Sequence, residues 1–472
     1  MWNEKKYLNK IAIIDEKENK FTFQQIFNFF KKLKKNYKFN KRSLVLCITN
    51  NSFGSVFGYL FFIFEKIVPI LIDSKLNKSL TLKIIQKYKP KYIWAPKNYF
   101  KNDKNLKIEI EFFGFCLFIT QYNNNIFLNP DLALLMTTSG TTGSKKFVKL
   151  SYENLRSNTL SIINYLNISQ RHRTITTLPM SYVYGLSIIN THFYSGGSII
   201  LNNFSFFQKE FWELISKYKI NSFGGVPYHY EILDRINFYR FKLPSLKYFT
   251  QAGGKISEKL QEKIAKYANT TKKKFIIMYG QAEATSRMSY LPHDKALEKI
   301  GSIGKSIPGG KFKIFNSINK ESLVNKEGEL VYYGKNVFMG YANTILDLSK
   351  PDENHGILKT GDIAKKDKQN FYYVIGRKKN FVKILGSRIN LDEIEKILTL
   401  KFDKINIACF GNDKKIYIAC TRKHMMMKII EYVISKIKIN RLYLSINYIK
   451  KIPRLKNKKI DYNFLKKKYI ID

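Results

Sequence analysis

Residues 134–149 read LLMTTSGTTGSKKFVK. Leu134, Leu135 and Met136 look like the end of a buried strand, yet the chain runs on into Thr138, Ser139, Gly140, Thr141, Thr142 and Gly143, and then Lys146. Glycines let a backbone come close to a ligand, hydroxyls and freed N–H groups donate to anionic oxygens, and a lysine neutralises charge. Such a loop suits a polyphosphate. The spacing G-x-x-x-x-G-K-[ST] is absent, so this is not a Walker loop. Standing alone, the stretch reads equally well as a Ser/Thr/Gly connector.

Four further groups follow in order. YGQAEAT (279–285) offers Tyr279, Gly280, Gln281 and Glu283, and KTGDIA (359–364) offers Asp362. IGRKKNFVKILGSRINLDEIE (375–395) carries Arg377, Lys379, Lys383, Gly386 and Arg388, and PRLKNKKID (453–461) carries Lys459. Each has a plain reading by itself. Tyr279 could be core packing, Asp362 a turn residue, Glu283 a helix cap and Lys459 one more solvated lysine.

The five groups as an ordered set resemble the adenylate-forming superfamily of acyl-CoA synthetases, carrier-protein-loading adenylation domains and luciferases. The likeness begins at NKFTFQQIFNFFKKLKK (19–35) and runs to the last lysine motif. It implies ATP, Mg²⁺ and a thiol, CoA or the phosphopantetheine of a carrier protein. Thr138 to Gly143 and Lys146 would cradle the β- and γ-phosphates. Tyr279, with Gly280 and Gln281, would meet adenine, and Gly253 and Gly254 would allow close approach of the base. Glu283 would hold the metal, Asp362 the ribose hydroxyls with Arg377 beside it, and Lys459 would stabilise charge during adenylation. Lys379 would be a hinge; Lys383, Gly386 and Arg388 would face the incoming thiol.

The chain departs from the family pattern at Lys145, Phe147, Ala282 and Asn457-Lys458-Lys459. These departures favour, as a rival, a weakly active nucleotide-binding scaffold. Lys458 could substitute for Lys459.

LPMSYVYGLS (178–187) resembles the segment that walls the acyl pocket, which would then include Tyr182, Tyr184, Gly185, Val226 and Met278. No Asp stands there to pair an ammonium group, which argues against α-amino acids. A fatty, aryl or other non-amino acid is expected.

The elements that must position these residues are legible from periodicity. RSLVLCITN, VPILID, KYIWAP, DLALLMT, TITTLPM, GSIILNN, INSFGGVP, LKYFTQAGG and KFIIMYG read as strands stopping at polar, Gly or Pro turns. YENLRSNTLSIINYLN and SEKLQEKIAKYAN read as helices between them. This predicts α/β architecture with mostly parallel sheets, whose ligands bind at the carboxyl ends of strands. A β-rich module follows from about Gly301, then a small, mobile α+β domain. The expected division is 1–376, an AMP-binding region, and 377–472, a lid carrying the lysine.

Composition narrows the class. FGSVFGYLFFIF (53–64) is too short to span a membrane and reads as a buried helix. Four scattered cysteines suit a reducing cytoplasm and make no zinc pattern, and the six histidines do not cluster. The formal charge of +46 is spread along the chain with arginine scarce, so specific nucleic-acid binding is not expected. Its milder consequence is attraction of anionic substrates.

Overall fold

The computed structural model describes all residues except 1–6, 41, 101–105, 123–126, 138–145, 317, 319, 385–386, 413, 438, 456–459 and 471–472; at 379, 381, 383, 387 and 388 it describes the backbone alone. Two compact units result, Met1–Lys311 with Tyr332–Leu358, and Phe312–Val331 with Lys359–Asp472.

Two large sheets organise the first unit. A nine-stranded sheet is parallel through its centre, where Arg173–Ile175, Ser222–Gly225, Tyr248–Gln251 and Lys274–Tyr279 lie side by side. Register is set by Ser222 opposite Tyr248 and Tyr248 opposite Lys274, so these strands end nearly level. The antiparallel strand Ser289–Leu291 then turns back along Lys274–Tyr279. In the eight-stranded sheet Leu44–Thr49, Val68–Asp73, Tyr92–Pro96 and Leu132–Thr137 form the parallel centre, with antiparallel strands on both flanks. One of these flanking hairpins, Lys107–Phe112 with Phe115–Ile119, was not anticipated from the sequence. Its first strand alternates charged and apolar residues and buries none of them, so it lacks a buried run.

Helices form where caps and apolar stripes agree. Phe23–Asn36 starts at a capping box, Thr22 with Gln25, and buries Phe23, Ile26, Phe27, Phe30 and Leu33 along one stripe. Tyr152–Leu166 starts at a Ser151–Asn154 box, and Asn154 also donates to the Lys335 and Val337 carbonyls. Phe53–Phe64 is buried on nearly all sides, as its unbroken apolar sequence demands. No helix among the described residues is long and apolar enough to cross a membrane.

The β-rich module is a four-stranded sheet in the order Gly310–Phe315, Gly328–Gly334, Ile357–Lys366, Tyr372–Arg377. Further on in the second unit, a three-stranded sheet has Ile416–Cys420 between Ile407–Gly411 and Leu444–Tyr448. Alternation splits its side chains: Ile407, Cys409, Ile416 and Ile418 pack with helices Leu391–Lys401 and Met426–Ile437, whereas Ala408, Phe410 and Ala419 pack with Leu465 of helix Tyr462–Tyr469. The α/β expectation, with a small α+β C-terminal part, holds.

Candidate active site

The level ends of the parallel strands carry most of the predicted residues of the first unit. After Arg173–Ile175 the chain leads to Tyr182, Tyr184 and Gly185. After Ser222–Gly225 comes Val226, after Tyr248–Gln251 come Gly253 and Gly254, and Lys274–Tyr279 ends in Tyr279, Gly280 and Gln281. Carboxyl ends of adjacent parallel strands are where open α/β sheets bind ligands. Gly253 has φ +85°, and a Cβ there would stand 2.5 Å from the Tyr182 hydroxyl. Gly280 is tighter still, since a Cβ would overlap the Ser286 carbonyl oxygen. Glycine is therefore favoured at 253 by the left-handed backbone and required at 280 by close approach of the Ser286 backbone.

Glu283 follows on a half-buried turn, with its carbonyl accepting from the Phe338 N–H at 2.9 Å. Its Oε1 accepts a 2.8 Å hydrogen bond from the Tyr341 hydroxyl. The same Tyr341 ring lies 3.4 Å from Lys146 Nζ. One tyrosine thus joins the acidic turn to the lysine that borders residues 138–145. Tyr341 was missed from the sequence; it belongs to the short strand Gly340–Ala342, which pairs with Phe147–Ser151 and places Tyr341 opposite Val148. Lys149, also missed, is fully buried there, donating to the Asp347 carbonyl at 3.1 Å with Glu353 Oε2 at 3.3 Å. It pins the strand that leaves the Thr/Ser/Gly segment.

The predicted acyl-pocket residues other than Gly185 meet in one apolar cluster. Tyr184 and Met278 are buried in it with Leu178, Ile188, Ala252 and Ile276, and Tyr182 and Val226 pack against it. Tyr184 donates to the Thr250 carbonyl at 2.8 Å. Arg287 penetrates this cluster with its guanidinium 4.2 Å from the Tyr184 ring centre. Burial raises the hydroxyl pKa of Tyr165, to about 12, and of Tyr182 and Tyr184; the Arg287 charge opposes each rise. Sequence reasoning passed over Arg287. The available signal was a lone arginine in SRMSYL, between two strands of apolar character.

In the second unit Asp362 and Arg377 face each other across adjacent strands, with Arg377 Nε 2.8 Å from Asp362 Oδ1. Asp362 is buried and Arg377 half-exposed, so the carboxylate is held from one side by a cation that solvent still reaches. Arg377 also donates through its backbone N–H to Asp392, which accepts from Asn380. The stretch with Lys379 is thereby tied to the helix Leu391–Lys401. Strands Phe381–Ile384 and Ser387–Asn390 pair antiparallel, with Lys383 opposite Arg388. Thr138, Ser139, Gly140, Thr141, Thr142, Gly143, Gly386 and Lys459 lie outside the described residues. Nearby, Arg454 and Ile460 form an isolated bridge, and the Asp461 N–H donates to the Pro453 carbonyl.

A metal-binding group of three or more His, Cys, Asp or Glu residues is absent among the described residues. A single carboxylate such as Glu283 fits Mg²⁺, which keeps waters and shares its shell with phosphates, better than a metal needing a protein cage. A cavity of about 370 Å³ near Arg156, Ser161, Pro308 and Asn336 includes none of the predicted residues.

The chain is 30% identical over 290 residues to a probable 4-coumarate–CoA ligase of Dictyostelium discoideum, covering 60% of this chain and 51% of the relative. It spans about half the length of the curated relatives it matches. Its fold is similar to o-succinylbenzoate CoA synthetase from Bacillus subtilis in complex with an acyl-adenylate intermediate, with TM-score 0.78, 20% identity and coverage of 97% and 95% of the two chains. The same synthetase in complex with ATP and magnesium ion gives TM-score 0.77 at 20% identity, covering 97% and 96%. The sequence pattern of the AMP-binding enzymes matches residues 65–342, more than half of the chain. On that match the chain belongs to the AMP-binding enzyme family.

Proposed function

We propose that this protein is an ATP-dependent acid–thiol ligase. It joins a non-amino carboxylic acid to AMP with release of pyrophosphate and then passes the acyl group to CoA. The observation that carries the reading is the link Lys146–Tyr341–Glu283, which ties the end of the Thr/Ser/Gly segment to the turn after Tyr279.

The chemistry follows from charge. A carboxylate oxygen attacks the α-phosphorus of ATP, and the bond from that phosphorus to the bridging oxygen breaks, sending its electron pair to pyrophosphate. Lys146 and the N–H groups of 138–143 offset the negative charge of the β- and γ-phosphates. Glu283 would hold Mg²⁺, which supplies charge neutralisation at the departing pyrophosphate. Tyr279 offers a ring face to adenine, and Gly253 lets the base approach. Asp362 accepts from the ribose hydroxyls while Arg377 orients its carboxylate. Lys459 stabilises the charge that develops between the acid and the α-phosphate.

In the second step the thiol attacks the acyl carbon and AMP leaves. The division proposed for this is 1–376 against a mobile 377–472, with Lys379 as hinge, so that Lys459 withdraws and the hairpin with Lys383, Gly386 and Arg388 takes its place. The test is acid-dependent exchange of labelled pyrophosphate into ATP, across fatty, aryl, hydroxy and amino acids. Exchange with at least one non-amino acid is expected. No exchange with any acid would leave a nucleotide-binding scaffold as the reading.

A further inference from the structure

Arg287 is 2% exposed, and every group on it among the described residues is neutral. Its Nε donates to Ser286 Oγ at 3.2 Å, Nη2 to Ser187 Oγ at 2.9 Å and Nη1 to the Tyr165 hydroxyl at 3.4 Å. Nη1 also rests on the Met278 sulfur, and the cation lies over the Tyr184 ring. No carboxylate among the described residues pairs with it. A buried cation without a counter-ion is costly; hydroxyls and a ring face offset only part of the lost hydration. In a protein so rich in lysine, an arginine placed here invites an anion from outside the chain.

The position says which part of a substrate that anion belongs to. Met278 and Ile276 project from one face of the strand Lys274–Tyr279 into the apolar cluster, and Tyr279, by alternation, projects from the other. The Arg287 guanidinium stands on the Met278 side, among Tyr165, Tyr184 and Ser187. It therefore lies with the residues assigned to the acyl portion and not with those assigned to the nucleotide.

We propose that Arg287 recognises a second carboxylate on the acid, so that the substrates are dicarboxylic acids of which one carboxyl is activated. The inference deepens the ligase reading and rests on it for the identity of the pocket. Arg287 is a specificity residue here: it pairs with the carboxylate that does not react, and Ser187 and the Tyr165 hydroxyl orient it. Tyr184 holds the guanidinium plane by its ring.

The test is equilibrium binding by isothermal titration of matched acids, octanoate with suberate and 3-phenylpropanoate with 3-(2-carboxyphenyl)propanoate. Titrations are run with AMP and again without nucleotide, so no chemistry intervenes. The diacid of each pair is expected to bind roughly ten- to hundredfold tighter, the range for a hydrogen-bonded charge. Arg287→Met should erase that gap, and Arg287→Lys should keep part of it. Monocarboxylic acids binding as tightly as their diacid partners would overturn the proposal, as would a gap that survives Arg287→Met. If Arg287→Met does not fold, the wild-type gap and its narrowing in Arg287→Lys decide. Diacid preference without any pyrophosphate exchange would overturn the ligase reading and, with it, activation of one carboxyl, leaving Arg287 as a diacid-binding residue only.

Discussion

Tyr341 shows how much one side chain can join. Its hydroxyl fixes Glu283 and its ring faces Lys146, so the proposed metal ligand and the proposed phosphate ligand are oriented by the same residue. Partners behind a ligating carboxylate set its geometry and basicity. Tyr341→Phe keeps the ring and removes the hydroxyl. The Mg²⁺ concentration giving half-maximal pyrophosphate exchange is expected to rise roughly tenfold, with little change in melting temperature. Lys459→Ala should abolish exchange while sparing thioester formation from supplied acyl-adenylate. Should Lys458→Ala behave that way instead, the last motif is read one residue out. Glu283, Tyr279 and Asp362 were visible as candidates because family spacing marks them. Tyr341 was not, since an isolated GYAN sequence contains no sign of a partner 58 residues away.

Elements set what those side chains can reach. Helix Phe53–Phe64 lies so close to the strand Tyr92–Pro96 that a Cβ on Gly58 would stand 2.2 Å from Trp94 Nε1, and the indole N–H already donates to the Gly54 carbonyl at 2.9 Å. Gly58→Ala is expected to cost about 1–3 kcal/mol by overpacking, read as a lower melting temperature, and Trp94→Leu should recover part of the loss in the double variant.

The helix Leu391–Lys401 holds a second device. Glu395 accepts from the Tyr462 hydroxyl at 2.8 Å and the Cys409 N–H at 2.7 Å, which ties down the chain directly after the lysine motif. Burial raises the Glu395 pKa from 4.5 to about 7, against the lowering effect of those two donors. The folded state therefore holds the proton more tightly than the unfolded state. The associated stability is fully present below pH 4.5 and is lost as pH rises through about 7, about 3 kcal/mol in all. Glu395→Gln should flatten that window: relative to wild type it should melt higher at pH 8 than at pH 5, and an equal difference at both would refute the assignment.

At the scale of the molecule, 82 Lys and Arg face 36 Asp and Glu. Many ion pairs are exposed and add little stability; Lys209 with Glu213 and Lys266 with Glu262 are examples. The surplus would act at a distance instead, drawing the proposed anionic substrates inward until salt screens it beyond about 8 Å at physiological ionic strength. Between 50 and 300 mM salt the KM for ATP is expected to rise severalfold with kcat nearly constant. A salt-independent KM would remove steering from the account.

The amino-acid sequence by itself determined the element types, the family and the order of the chemical groups, because caps, periodicity and motif spacing are local. Even the fully buried helix 53–64 was legible from twelve uncharged residues. Tertiary structure alone decided which residues stand together. Arg287 meets Ser187 across 100 residues, and Lys149 meets the Asp347 carbonyl across 198. A charge is recognisable in a sequence, but whether it is buried and what neutralises it depend on packing, which no local pattern records.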